Sequence, residues 1–272
     1  MIIHCHGRTF LMSRVTDAIL LAGGNGNRLQ PFTFYTSKHL LPIDNVPMIF
    51  YPLKNLQLIG IKRVFLIVNS EHLEQWNSLL SKYDFEMEVI PVIQDRPLGI
   101  PAAMQCCSEM ISGKSFLVAL GDNLIIASNF LNKFSEYLED ELSATICGFN
   151  VPDPRAFGVA KLDAQGNLIE VVEKPAEPTS KLAIAGFYQF PISAFQIIRE
   201  LEYSDRGELE VADLINKFLS EGLCIFVEST SASDYWIDTG TNESLVHATN
   251  FVRDLKKSSG ISIAQFEKLN LN

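Results

Sequence analysis

Short unbroken apolar runs alternate with longer stretches in which apolar positions return every three or four residues, and this rhythm fills the first half of the chain. The runs read as buried strands and the periodic stretches as helices. After an apolar run ending at Leu20-Leu21-Ala22, strands are predicted over 63–68, 88–93, 115–120 and 144–149. Helices are predicted between them over 48–58, opened by Pro47 and closed by Gly60, and over 73–83, 101–110 and 129–138. Repeated βαβ units of this kind imply a parallel, doubly wound α/β sheet of Rossmann-like form, with its ligand edge at the carboxyl ends of the strands.

The rhythm changes after Asn150. Apolar stretches over 157–162 and 168–172 flank Asp163-Ala164-Gln165-Gly166-Asn167, a hairpin signal, and 183–190 is strand-like. Helices over 194–201 and 211–220, short strands over 224–228 and 235–237 and a helix over 243–255 follow. No internal repeat or low-complexity linker separates the halves, so the β-rich part reads as an insertion packed on the same core. The expected division is 1–14 as an extension with no periodic pattern and Met12 as an alternative start, 15–150 and 151–257 as the two parts, and 258–272 as a short tail.

Chemistry enters where the first apolar run breaks into Gly23-Gly24-Asn25-Gly26-Asn27-Arg28. Bare backbone after a buried strand can approach phosphate oxygens, and Arg28 can neutralise them, although a tight turn would use the same glycines. Lys38 brings a second cation nearby in the chain. Asp122 follows the run Phe116–Leu120, and Asp238 follows Tyr235-Trp236-Ile237, so both carboxylates stand just beyond strands. Two such residues suffice for magnesium when phosphates and water complete its octahedron; each alone is equally at home as a turn or cap. Lys174 ends a strand as a point charge, and Gln94 followed by Gly99 offers an amide and a bare backbone to a base; a solvated strand end and a polar loop are the plainer readings.

Composition narrows the partner. A formal charge of −10 argues against nucleic acid or an anionic membrane surface and favours a small anion held by a few focused cations. The five cysteines form no CxxC pair, which fits a reducing cytoplasm, and no apolar run is long enough to span a bilayer. His4-Cys5-His6 could touch a metal but lacks further fixed ligands.

Taken together, Leu21-Ala22-Gly23-Gly24-x-Gly26-x-Arg28-Leu29-x-Pro31-x-Thr33, Ser37-Lys38-x-Leu40-Leu41-Pro42, Leu120-Gly121-Asp122-Asn123, Phe157-Gly158-Val159, Glu173-Lys174-Pro175, Arg206-Gly207-Glu208-Leu209-Glu210 and Trp236-Ile237-Asp238-Thr239-Gly240 stand in one order. That series resembles the sugar-1-phosphate nucleotidylyltransferases, most of all their glucose-1-phosphate thymidylyltransferase branch, over roughly residues 17–251. The resemblance implies an enzyme that joins a nucleoside triphosphate, dTTP first, to a sugar 1-phosphate, glucose 1-phosphate first, in a cytoplasmic homo-oligomer. It implies that Gly23, Gly24, Gly26 and Arg28 meet the triphosphate with Lys38 on the leaving diphosphate, that Gln94, Gly99 and Asn123 serve the nucleotide, and that Asp122 and Asp238 carry Mg2+. Gly158, Glu173, Lys174 and Ile184 would form the sugar-phosphate pocket, and Arg28, Lys38, Lys174, Asp122 and Asp238 the catalytic set.

Three departures stand out. Leu98-Gly99-Ile100-Pro101-Ala102-Ala103 lacks a glutamine usual on the base-side helix, Phe157 replaces a common tyrosine, and the chain stops soon after Gly260-Ile261-Ser262, short of the family's helical tail. A UTP- or CTP-using relative and a non-catalytic nucleotide-binding regulator remain open. A dinucleotide-binding dehydrogenase fits less well, because Leu29 stands where the fingerprint needs its third glycine.

Overall fold

The computed structural model describes residues 2–5, 8–11, 15–138, 140–260 and 263–269. Strands β1 (Asp17–Leu21), β2 (Arg63–Val68), β3 (Glu88–Ile93) and β4 (Ser115–Leu120) lie parallel in the order β3-β2-β1-β4. Their apolar runs are unbroken because both faces are covered. Ala18, Leu20, Val64, Leu66 and Val68 enter one core, packed under α1 (Phe50–Ile59), α2 (Leu73–Leu80), α4 (Ser128–Ser135) and α7 (Asn242–Ser259). Ile19, Phe65 and Ile67 enter the other, under α3 (Ile100–Gln105), α5 (Ala194–Ile198) and α6 (Val211–Ser220).

Beyond β4 the same sheet continues through β10 (Phe187–Pro191), β6 (Ala144–Asn150), β9 (Leu182–Ile184), β7 (Gly158–Leu162) and β8 (Leu168–Glu173), each antiparallel to its neighbour. Because β10 enters reversed, β6 keeps the direction of β4 without touching it, and β11 (Cys224–Glu228) pairs parallel with β6. The sheet is therefore α/β and mostly parallel at its core, with the β-rich half built on its antiparallel margin. As expected, Asp163 holds the β7–β8 hairpin turn, accepting from the backbone N–H groups of Gln165 and Asn167.

Four details differ from the sequence reading. Pro47 does not open α1: Val46 and Pro47 pair with Pro42 and Ile43 in a two-residue ladder, and the helix begins at Phe50. The 101–110 helix ends at Gln105 and continues as turns. The strand over 183–190 breaks at Ala185-Gly186, where Ala185 N–H donates to Cys147 O (3.0 Å) and the Leu120 N–H donates to Gly186 O (2.8 Å), so the chain crosses from β6 to β4. Finally β5 (Asn123–Ile126) was unforeseen, since its partner β12 (Tyr235–Asp238) is remote in sequence.

At the other ends of the chain, Ile2–Cys5 pairs antiparallel with Arg8–Leu11. Glu267–Lys268 pairs with Tyr83–Asp84, and Phe266 packs against Phe50 and Phe85 with ring centroids 5.2 and 4.7 Å away. The metal reading of His4-Cys5-His6 turns on His6 and on side chains that are not described, and the start at Met12 and the positions Ile261-Ser262 fall outside the described residues.

One buried ion pair fixes β1 to β2. Asp17, fully buried, accepts from Arg63 Nε (2.9 Å) and Nη2 (2.6 Å) and from the Ser112 N–H (3.0 Å). Burial alone would raise this carboxyl, but Arg63 and Ser112 hold it below the ordinary range. A depressed folded-state pKa stabilises above the unfolded value and is lost as pH falls through the folded one. Asp17→Asn is expected to cost about 2–3 kcal/mol near neutrality, and urea unfolding of variant and wild type should converge in acid.

Candidate active site

Asp122 leaves β4 at its carboxyl end, and β5 starts at once, pairing Asn123 directly opposite Asp238. That register carries both carboxylates to one place. Thr239 locks it, donating from its N–H (2.9 Å) and hydroxyl (2.7 Å) to Asp122 O. Asn123 donates to Asp122 Oδ1 (3.1 Å), while its own Oδ1 accepts from Gly186 N–H (2.9 Å) and Trp236 Nε1–H (2.7 Å). The amide predicted to serve the nucleotide thus also ties together the strands around the site.

The loop after β1 folds over these carboxylates. Lys38 Nζ makes an ion pair with Asp122 Oδ2, and Gly24 lies against the Lys38 chain end. Gly26 sits behind, against Thr33 and the Lys38 stem, with a left-handed φ of +64°. Behind Lys38, burial first and then the Lys38 charge push the His39 imidazole down to about 3, so it is a neutral packing group.

Two cavities adjoin here. The first, about 260 Å³, is lined by Gly23, Gly24, Lys38, Gln94, Gly99, Asp122, Glu173 and Lys174. The second, about 520 Å³, is lined by Arg28, Asn123, Gly158, Glu173, Lys174, Ile184 and Asp238. Every expected site residue except Gly26 therefore lines one or both, and Glu173 and Lys174 form part of the shared wall. Arg28 was expected with the glycines but lines the second cavity beside Asp238. Gly99, at φ +101°, lies so close to the Leu209 carbonyl that no side chain fits.

Charge in the site is polarised. Burial tends to raise the Asp122 carboxyl, but Lys38 and its hydrogen bonds hold it far below the usual range. Burial first, then the negative charge of Asp122, pushes Asp238 up to about 6. Burial also raises Glu173, with Glu210 adding to the effect and Lys174 and Arg206 opposing it. The arrangement is an acidic floor ringed by cations, a place for a polyanion carried with a divalent metal.

The Nucleotidyl transferase family matches residues 17–254. A glucose-1-phosphate thymidylyltransferase of Neisseria gonorrhoeae is 35% identical over 252 residues, covering 92% of this chain and 87% of that protein. The chain belongs to the sugar-1-phosphate nucleotidylyltransferase family. Another relative, the low-salt glycan biosynthesis nucleotidyltransferase Agl11 of Haloferax volcanii, is 34% identical over 90% of this chain and 69% of its own length. A Bacillus anthracis crystal structure with bound sucrose superposes with a TM-score of 0.79 at 34% identity, covering 88% of this chain and 95% of that one. A UDP-glucose pyrophosphorylase complexed with UDP-glucose shares the fold, with a TM-score of 0.80 at 19% identity over 89% of this chain and 99% of that one.

For this nucleotidylyltransferase the donor set fits a hard divalent ion. Among the described residues no three His, Cys, Asp or Glu side chains cluster to cage a metal by themselves. Asp122 and Asp238 instead offer two carboxylates, which suits an ion that also takes phosphate oxygens and water. No helix among the described residues is long and apolar enough to cross a membrane.

Several site residues had no role assigned from sequence. Buried Tyr188 and partly buried Trp236 line the second cavity, and the Trp236 ring packs 4.9 Å from that of Phe157. Arg206 reaches over from before α6 to Glu210 (2.6 Å) and Glu173 (3.5 Å). The motifs had marked Arg206 and Trp236, while Tyr188 shares the strand parity of Gly186 and could be placed only once β10 was paired.

Proposed function

We propose that this protein transfers a nucleotidyl group from dTTP to glucose 1-phosphate, with the nucleotide in the smaller cavity and the sugar phosphate in the larger. The observation that carries this reading is the shared wall: Glu173 and Lys174 line both cavities, and Asp122 and Asp238 stand one on each. A reaction that joins two phosphates needs such a junction.

The nucleophile needs no protein base, because a phosphate monoester has its second pKa at about 6 and is largely dianionic at neutral pH. Lys174 holds the sugar phosphate so that its oxygen faces the α-phosphorus. The new P–O bond forms as the bond from that phosphorus to the bridging oxygen breaks, and its electron pair leaves with the diphosphate. Gly23 and Gly24 give the phosphates close backbone approach, and Lys38 from the first cavity and Arg28 from the second, beside Asp238, take up the negative charge that develops at the junction as the diphosphate leaves. Mg2+ bound at Asp122 and Asp238 would neutralise phosphate oxygens on both reactants. Gln94 and Gly99 face the base, and Glu173 accepts from sugar hydroxyls beside the Gly158 backbone.

The test is a matrix of nucleoside triphosphates against hexose 1-phosphates with magnesium, scored by diphosphate release. The expected result is fastest release from dTTP with glucose 1-phosphate. Faster release with UTP or CTP would reassign the base, and binding of nucleotide by calorimetry without release from any pair would favour a regulator.

A further inference from the structure

Gly240 ends the Trp236–Gly240 motif and precedes Thr241, the residue that caps α7. It is not among the glycines with a positive φ, so its backbone is open to an alanine. What it lacks is space: a Cβ built there would stand 2.5 Å from Arg28 Nη2, 3.3 Å from Arg28 Cζ and 2.9 Å from Asp238 Oδ1. The Gly240 N–H also donates to Asp238 Oδ1 at 3.0 Å. One residue thus fixes the carboxylate with its backbone and leaves bare surface for the guanidinium.

We propose that Gly240 is a positioning residue for Arg28, its missing side chain forming the seat that sets the guanidinium beside Asp238. Of the two groups a methyl would meet, the guanidinium is the nearer and ends a flexible side chain, whereas the carboxylate, held by the Gly240 N–H, has the smaller shift to make. The arginine gives way, at little cost to folding, and leaves the place where it meets the substrate. This rests on the reading of Arg28 as a group that neutralises the departing diphosphate.

The experiment is a double-mutant cycle of Gly240→Ala and Arg28→Ala, read by kcat/KM for the nucleotide, by nucleotide binding in calorimetry and by thermal melting. Gly240→Ala should lower kcat/KM roughly tenfold, close to the effect of Arg28→Ala, and should change it less than about twofold when Arg28 is already alanine. Its melting temperature should stay at the wild-type value. Losses that multiply, wild-type kinetics in Gly240→Ala, or a melting temperature that falls with it would each overturn the proposal. If the wild-type protein releases no diphosphate from any pair, the functional reading fails by itself, and the calorimetric cycle still decides whether Gly240 seats Arg28.

Discussion

Asp122→Asn is expected to lower kcat by about 10²- to 10³-fold, on the order of 3–4 kcal/mol of transition-state stabilisation. The substitution keeps the shape of a buried side chain and removes only its charge. That charge holds Lys38, and in the proposed mechanism Asp122 and Asp238 together form the donor pair for the metal. An asparagine leaves Lys38 unpaired and, on that mechanism, would leave the metal one carboxylate, so both the substrate phosphates and the leaving diphosphate would lose compensation at once. The fold should survive, because Thr239 bonds to the Asp122 backbone carbonyl rather than to its side chain, and because Asp238 no longer faces a buried negative neighbour. Diphosphate release and thermal melting measure the two effects separately. A kcat within threefold of wild type would remove Asp122 from the catalytic set.

The parts of this site that were legible in the sequence are those whose signal is local. The apolar run of β4 stops at Leu120, and a carboxylate two residues later must emerge at the sheet's carboxyl edge whatever the rest of the chain does. The glycines after β1 and the left-handed Gly60 that ends α1 are read the same way, from short-range conformational needs. The β5–β12 ribbon was not legible, because Asn123–Ile126 is a short run whose pairing is set by residues remote in the chain. With it went the reason that Asp122 meets Asp238, and the part Asn123 plays as a tie between Asp122, Gly186 and Trp236.

Arg28 shows the limit from another side. Its place in the glycine loop suggested the company of Gly23 and Gly24, yet the chain turns through two short 3-10 segments, Asn27–Leu29 and Phe32–Phe34, and the side chain reaches the second cavity. Loop geometry of that kind depends on what the loop packs against. Here the Arg28 guanidinium lies against Gly240, which belongs to the far end of the sequence.

Lys174→Ala is expected to lower kcat/KM for the sugar phosphate by about 10²-fold while leaving nucleotide affinity near the wild-type value. Lys174 lines both cavities and lies 3.5 Å from Glu173, so it is placed to hold a phosphate at the junction. Its backbone is unusual for a lysine, with φ at +42°, and its N–H donates to Phe157 O at 2.9 Å, closing the open end of the β7–β8 hairpin. A non-glycine residue kept in that region costs about 1 kcal/mol or more and persists where its surroundings demand it. The strain and the charge can be told apart. Alanine keeps the strain and loses the charge, whereas Lys174→Gly loses both, so the glycine variant should melt at least as high as the alanine variant and be as slow. Kinetics with saturating nucleotide and varied sugar phosphate, set beside melting curves, make the comparison. A loss that falls on the nucleotide KM instead, or a glycine variant faster than the alanine one, would show that the conformation at Lys174 rather than its ammonium group serves the reaction.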